Sequence, residues 1–139
     1  MAELNFTPEQ RAAIDTRGST VLVSAAAGSG KTRVLTERLM AYLTDAEDPV
    51  DIDRFLVITY TRAAAAELRS RILDGIYARI ASDPENRRLR RQAALCAHAE
   101  IGTIHSFCAD FLRANCAALA LAPDFQVADT ERCVALRTT

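Results

Sequence analysis

Thr20-Val21-Leu22-Val23-Ser24-Ala25-Ala26-Ala27-Gly28-Ser29-Gly30-Lys31-Thr32 is the stretch that decides how this chain is read. An apolar, β-branched run leads into a loop of small residues that ends in Gly-Lys-Thr, and Lys31 is the only lysine among 17 basic residues. Glycines at 28 and 30 let the backbone take positive φ and bring its N–H groups close to phosphate oxygens. A helix that starts there aims its N-terminus at the same anion. Lys31 supplies a slim, flexible charge for the β- and γ-phosphates, and Thr32 a hydroxyl for a magnesium ion. Arginine at position 31 would be bulkier and planar. Residues Ala25, Ala26, Ala27, Gly28, Ser29, Gly30, Lys31 and Thr32 therefore predict a phosphate-binding loop for a nucleoside triphosphate. Ala25 stands where the motif G-x-x-x-x-G-K-[ST] has its first glycine.

The elements around this loop predict an α/β domain with a largely parallel sheet. A first helix is expected after Thr7, with Pro8 in its first turn and Glu9 and Gln10 following. Thr20 to Ala25 is expected as strand one. The helix from Gly30 to about Thr44 carries Leu35, Leu39 and Leu43 on one stripe. Phe55-Leu56-Val57-Ile58-Thr59-Tyr60 reads as a strand buried on both faces. A long helix from Ala63 to about Ser82 places Leu68, Ile72, Ile76 and Ile80 on one face. After Ser82-Asp83-Pro84 a further helix is expected from Glu85 to Ala99, then a strand over Ile101 to His105 and a helix from Ser106 to about Leu121. Phe125-Gln126-Val127 reads as one more short strand, and Thr130 as the cap of a last helix.

Composition narrows the classes. Half of the 139 residues are hydrophobic, enough for a core in a single domain. No stretch is long enough to span a bilayer, and the first residues lack a basic region followed by an apolar one, so a soluble, cytoplasmic protein is expected. Cys96, Cys108, Cys116 and Cys133 form no C-x-x-C pair and no zinc-like spacing with histidine, so reduced thiols are expected. Cys108, Leu112 and Cys116 fall at helical spacing, which predicts small apolar positions on a buried face. Net charge is −1, yet eight arginines between Arg62 and Arg91 face only Glu67, Asp74, Asp83 and Glu85 in sequence. That excess suits a polyanion; the run Arg87-Arg88-Leu89-Arg90-Arg91 taken alone reads as a solvated helix surface.

Three further segments join the loop in order. Phe6-Thr7-Pro8-Glu9-Gln10, then Val57-Ile58-Thr59-Tyr60-Thr61-Arg62 with Ala64-Ala65-Ala66-Glu67-Leu68, then Gly102-Thr103-Ile104-His105-Ser106-Phe107 resemble the Q motif, motif Ia and motif Ib of UvrD-like superfamily 1 DNA helicases. The segments A-A-A-G-S-G-K-T, G-T-I-H-S-F-C and P-D-F-Q-V-A-D are most similar in wording to the AddA type of the ATP-dependent helicase/nuclease. The resemblance implies a P-loop NTPase (RecA-like) fold, and ATP and Mg2+ as cofactors. It implies that Gln10 reads the adenine edge, for which its amide can both donate and accept, and that Arg33 contacts the nucleotide. Without the family, Gln10 reads as an exposed helix residue. It implies single-stranded DNA contacts at Tyr60, Thr61, Arg62, His105 and Ser106. Tyr60 can stack on any base, and reads equally well as a strand-end core aromatic. Family members often have Asn-Lys where Arg62-Ala63 stand here, which moves a phosphate contact to Arg62 or removes it. His105, taken alone, reads as a structural residue at a helix start.

What the family needs and these residues lack also counts. Hydrolysis needs a magnesium-holding acid on a second strand, a residue that orients water and an arginine finger. No Asp-Glu pair follows an apolar strand; Phe125-Gln126-Val127-Ala128-Asp129 ends in an acid but matches a family segment past motif Ib. The chain is thus expected to be the N-terminal part, residues 1–139, of the first helicase ATP-binding domain, truncated before Walker B. Its sheet is expected to be incomplete, with an uncovered edge that favours aggregation. Lys31 and Thr32 remain its catalytic candidates. The parent would unwind DNA from a duplex end in double-strand-break repair, with a second component of AddB type, while this chain alone would neither hydrolyse ATP at speed nor unwind. Two other readings stay open: a small P-loop kinase with Arg87–Arg91 as its lid, and a nucleotide-dependent DNA-binding module without hydrolysis.

Overall fold

A computed structural model describes residues 5–122, 124–128 and 132–134. The chain divides into two compact units, one through Gly102 and one from Thr103 on. No helix among the described residues is long and apolar enough to cross a membrane.

The first unit starts with α1, Pro8–Asp15. Proline at the first position has no N–H to leave unpaired, and Thr7 and Gln10 close a reciprocal capping box. Helix α2, Lys31–Leu43, follows the glycine loop and packs against α1. A short 3-10 turn, Ile52–Arg54, leads into β1, Leu56–Thr59. Helix α3, Arg62–Ser82, is capped by the Thr61 hydroxyl, and α4, Arg87–Leu95, by the Asn86 side chain. Strand β2, Glu100–Thr103, lies parallel to β1. Helix α3 packs against α2, α4 and β1.

The main core is built where these helices meet. Leu39, Met40 and Leu43 of α2 meet Leu68, Ile72 and Ile76 of α3, with Ile52, Val57, Cys96, Ala99 and Ile101 closing the cluster. Each fully buried Leu or Ile side chain contributes about 1.5–3 kcal/mol. A smaller cluster of Ala13, Ile14 and Val34, with Phe6, Val21 and Ala41 against it, fixes α1 to α2 beside the glycine loop. In α3 the expected face is observed, with Leu68, Ile72 and Ile76 buried and Ile80 packed at the margin.

Several expectations are corrected. Thr20 to Ala25 is not a strand: it joins no ladder, Leu22 is 92% exposed, and only Val21 packs against a cluster. β-Propensity cannot by itself make a strand, because the backbone groups need a neighbour to pair with. Strand β1 is not buried on both faces. Val57 enters the core while Leu56 and Ile58 stay about half exposed, since the α3 side of the strand is the covered one. On α2 the stripe runs through Val34, Leu39, Met40 and Leu43, and Leu35 lies off it.

The second unit contains α5, Ile104–Ala114, followed by a 3-10 turn at Cys116–Leu119. The helix begins two residues earlier than its sequence suggested, because Thr103 and Ser106 close a capping box that turns Ile104 and His105 into helix. It ends before Leu121, with Asn115 at its C-cap. Cys108 is exposed, and Leu112 and Cys116 only half-buried, so the expected buried face does not form. Phe125–Val127 is not a strand. Asp129 and Thr130 lie outside the described residues.

Candidate functional site

The glycine loop folds as its composition predicts even though no strand precedes it. Gly28 and Gly30 take φ of 77° and 85°, a region where a Cβ is strained. At Gly28 an added Cβ would meet nothing within 4 Å, so φ and not space calls for glycine there. The Ser29 N–H donates to the Ala26 carbonyl at 3.3 Å, tightening the turn. Gly30 is the N-cap of α2 and offers no side-chain acceptor to the first-turn N–H groups, and no acidic residue lies in that turn. The positive end of the helix dipole therefore faces outward beside the loop.

Lys31 spans this loop. Its ammonium donates to the carbonyls of Ala25 at 2.6 Å and Ala26 at 2.7 Å. Thr32 and Arg33 follow on the exposed first turn, and the Thr32 carbonyl accepts from the Thr36 hydroxyl. Gln10 approaches from α1. Its Oε1 accepts from the Thr7 N–H at 3.0 Å, and its Nε2 donates to the Ser29 carbonyl at 3.1 Å. Arg33 rests against the Phe6 ring, its Cζ 4.6 Å from the centroid. Between α1 and the loop lies a cavity of about 230 Å³ lined by Thr7, Gln10, Ala13, Ser24, Lys31 and Val34 among others. At its rim the Glu9 carboxyl is held below the ordinary glutamate range, first by its own backbone N–H and then by the Thr7 hydroxyl.

The fold thus brings Gln10, residues 25–33 and Phe6 to one place. Gln10 is half-buried, and both ends of its amide are engaged.

Tyr60, Thr61 and Arg62 sit together at the carboxyl end of β1. Tyr60 is fully exposed, Thr61 caps α3 through a 3.1 Å bond from the Ala64 N–H, and Arg62 is the exposed first residue of the helix. The exposure of Tyr60 sets aside its reading as a core aromatic. The Thr59 hydroxyl lies 3.0 Å from the Thr61 carbonyl and 3.4 Å from that of Gly102, which fixes the turn between strand and helix. In the second unit, His105 and Ser106 belong to the first turn of α5 and not to a strand end. The Ser106 hydroxyl is engaged in the cap, accepting from the Thr103 N–H at 2.9 Å.

The arginine run is largely a solvated face, with Arg87, Arg90 and Arg91 exposed, but two of its side chains also reach back to the chain before β1. Arg88 and Arg91 reach Asp51 at 3.0 and 3.1 Å, and Asp51 also accepts from the buried Gln92 amide at 2.6 Å. Gln92 in turn accepts from the Ile52 N–H at 2.8 Å. Sequence reasoning missed this network because its partners lie about forty positions apart. It missed Arg69 for the same reason: the guanidinium donates to the carbonyls of Cys96, Ala99 and Ile101, fastening the approach to β2 onto α3.

Residues 6–138 match the UvrD/REP helicase N-terminal domain. The chain is 48% identical over 137 residues to the AddA-type ATP-dependent helicase/nuclease protein of Clostridium acetobutylicum, covering 99% of this chain and 11% of that protein. It is 52% identical over 124 residues to the corresponding helicase/nuclease protein of Thermoanaerobacter sp. strain X514, covering 89% and 10%. Against that of Moorella thermoacetica it is 53% identical over 124 residues, covering 89% and 9%. The chain therefore spans about a tenth of the length of the relatives it matches. With the match running from Phe6 past α5, the chain belongs to the UvrD/REP helicase family.

Proposed function

We propose that this chain is the ATP-binding and single-strand-DNA-contacting part of an ATP-dependent DNA helicase. The observation that carries the reading is the glycine loop itself: two glycines at positive φ feed the uncapped N-terminus of α2, with the Lys31 ammonium lying across the loop. These are the donors a polyphosphate needs, and they fit the group. Lys31 exchanges the Ala25 and Ala26 carbonyls for phosphate oxygens. The N–H groups of the first turn of α2 take the same oxygens, Thr32 offers its hydroxyl to the metal, Gln10 meets the base, and Arg33 contacts the nucleotide. Ala25 in place of the motif's first glycine is accommodated because the positive φ values fall at 28 and 30. Mg2+, when bound, neutralises charge on the phosphate oxygens.

Tyr60, Thr61 and Arg62 form the DNA contact of the first unit, with Tyr60 as a stacking surface and Arg62 as a phosphate partner. His105 contributes to the same role from the second unit; Ser106, whose hydroxyl serves the cap, would contact DNA through the helix start. By kinship with the helicase/nuclease proteins, the activity served is ATP-driven translocation and unwinding from a duplex end in break repair in the cytoplasm, together with a second component of AddB type. Against the kinase reading stands the match of residues 6–138 to the UvrD/REP helicase N-terminal domain.

Titration of the purified chain with a fluorescent ATP analogue, and with random single strands at several salt concentrations, tests this reading. Saturable nucleotide binding lost in Lys31→Ala, and DNA affinity that falls with salt, are expected. Hydrolysis by the chain alone is expected to be negligible; a DNA-stimulated ATPase abolished by Lys31→Ala would overturn that part. Binding of neither ligand would overturn the whole.

A further inference from the structure

We infer that Phe6 is a positioning residue for the nucleobase side of the ATP site, acting by holding the guanidinium of Arg33; this rests on the nucleotide reading above. Phe6 is half-buried against Ala13, Ile14 and Val34. Ala13 and Val34 also line the cavity that Gln10 and Lys31 face. The ring thus packs behind two residues of the cavity lining and does not itself line the cavity. Arg33, two residues past Lys31, is exposed and would sample many rotamers. Its Cζ instead lies 4.6 Å from the Phe6 centroid, within cation–π range. Arg11 shares the ring at 5.3 Å, so two cations stand beside a site meant for an anionic ligand.

The chemistry of the arrangement is directional. Lys31 and the helix N-terminus act on phosphate, whereas a planar guanidinium stacks on a heteroaromatic ring. With Phe6 restraining it, Arg33 is available to a purine at lower ordering cost, while Gln10 offers a donor and an acceptor to the base edge. Phe6 itself touches neither phosphate nor metal. Removing its ring should therefore weaken recognition of the base and leave recognition of the phosphates alone.

The test compares ATP with inorganic tripolyphosphate, which has the phosphates and no base, on wild type, Phe6→Leu and Phe6→Tyr. Leucine keeps apolar packing against Ala13, Ile14 and Val34 but has no ring; tyrosine restores the ring. Phe6→Leu is expected to weaken ATP about two- to fivefold, the range of an exposed cation–π contact, with tripolyphosphate unchanged and Phe6→Tyr like wild type. The ratio of the two affinities is the readout, because partial unfolding lowers both together. Equal loss of both ligands, no loss of ATP, or a Phe6→Tyr that behaves like Phe6→Leu overturns the inference while the nucleotide reading stands. Wild type that binds neither ligand overturns both.

Discussion

The Gln10 side chain donates from Nε2 to the carbonyl of Ser29, 3.1 Å away across 19 residues of sequence. The same amide accepts from the Thr7 N–H, so one residue ties the start of α1 to the glycine loop. Gln10→Ala removes both bonds and is expected to cost about 1 kcal/mol, the worth of a helix cap. Gln10→Glu keeps the acceptor for Thr7 but sets a carboxylate against a carbonyl. It is expected to fold nearly as well as wild type and to bind nucleotide more weakly. Denaturant melts paired with ATP titrations separate the two effects, and unchanged ATP affinity in Gln10→Glu would remove the tether from the account.

Lys31 is exposed and its partners are loop carbonyls, so its loss should matter to ligand and not to folding. Lys31→Met is expected to leave the melting midpoint almost unchanged, since exposed loop bonds contribute little. Affinity for ATP and for tripolyphosphate should fall together by at least about tenfold, roughly 1.4 kcal/mol of lost charge-assisted bonding. A drop confined to ATP would assign Lys31 to the base instead of the phosphates.

The contrast between those two residues shows what was legible beforehand. The loop was readable because its signal is local: glycines set φ, and the residues that follow start the helix. Thr7-Pro8 was equally plain as a helix start, whereas the Thr61 cap, just ahead of the helix expected from Ala63, was not read. Thr20 to Ala25 failed because a strand is a relation between segments, and no propensity names the neighbour. The Ile101 to His105 boundary failed because the hydroxyls of Thr103 and Ser106 cap each other's backbone, which outweighs the β preference of Ile104. Gln92 and Arg69 carry ordinary surface-type side chains, and only packing reveals whose backbone they hold.

Gln92 is fully buried and satisfies the Ile52 N–H and Asp51 at once. Gln92→Leu strands that N–H in the core. It is expected to destabilise the chain by about 1–3 kcal/mol, the cost of an unsatisfied buried donor. Arg91, whose side chain is 65% exposed, is expected to change stability by less than about 1 kcal/mol when replaced by alanine. Chemical denaturation of the two variants side by side checks the order, and a larger loss at Arg91 would mean the ion pair outweighs the amide.

Gly75 sits inside α3, where alanine would be favoured by about 1 kcal/mol of helix propensity. An added Cβ would meet Met40 Sδ at 3.3 Å and Cγ at 3.6 Å. Met40 is fully buried, but its thioether is flexible and can give by a few tenths of an ångström. Gly75→Ala is therefore expected to be neutral or to raise stability by up to about 0.5 kcal/mol. Gly75→Val has no such room and is expected to destabilise by about 1–3 kcal/mol. Thermal melts of both variants decide it, and a destabilised Gly75→Ala would show that Met40 is locked by Leu43 and Ile76 around it.

Cys96 is fully buried, and burial pushes its thiol above the ordinary cysteine range, while the Arg69 guanidinium pulls the other way without overcoming it. The sign follows from linkage: a thiol harder to ionise when folded favours the folded chain below the unfolded value and loses that advantage as pH rises. Stability should therefore decline on the alkaline side, and Cys96→Ala should flatten that decline while losing some packing. Cys108 and Cys133 are exposed and should react first with a thiol reagent, Cys116 more slowly, and Cys96 only when the main core opens. Labelling followed by peptide mapping at rising denaturant checks this order. Modification of Cys96 as early as Cys108 would mean that the turn Arg69 fastens opens without global unfolding.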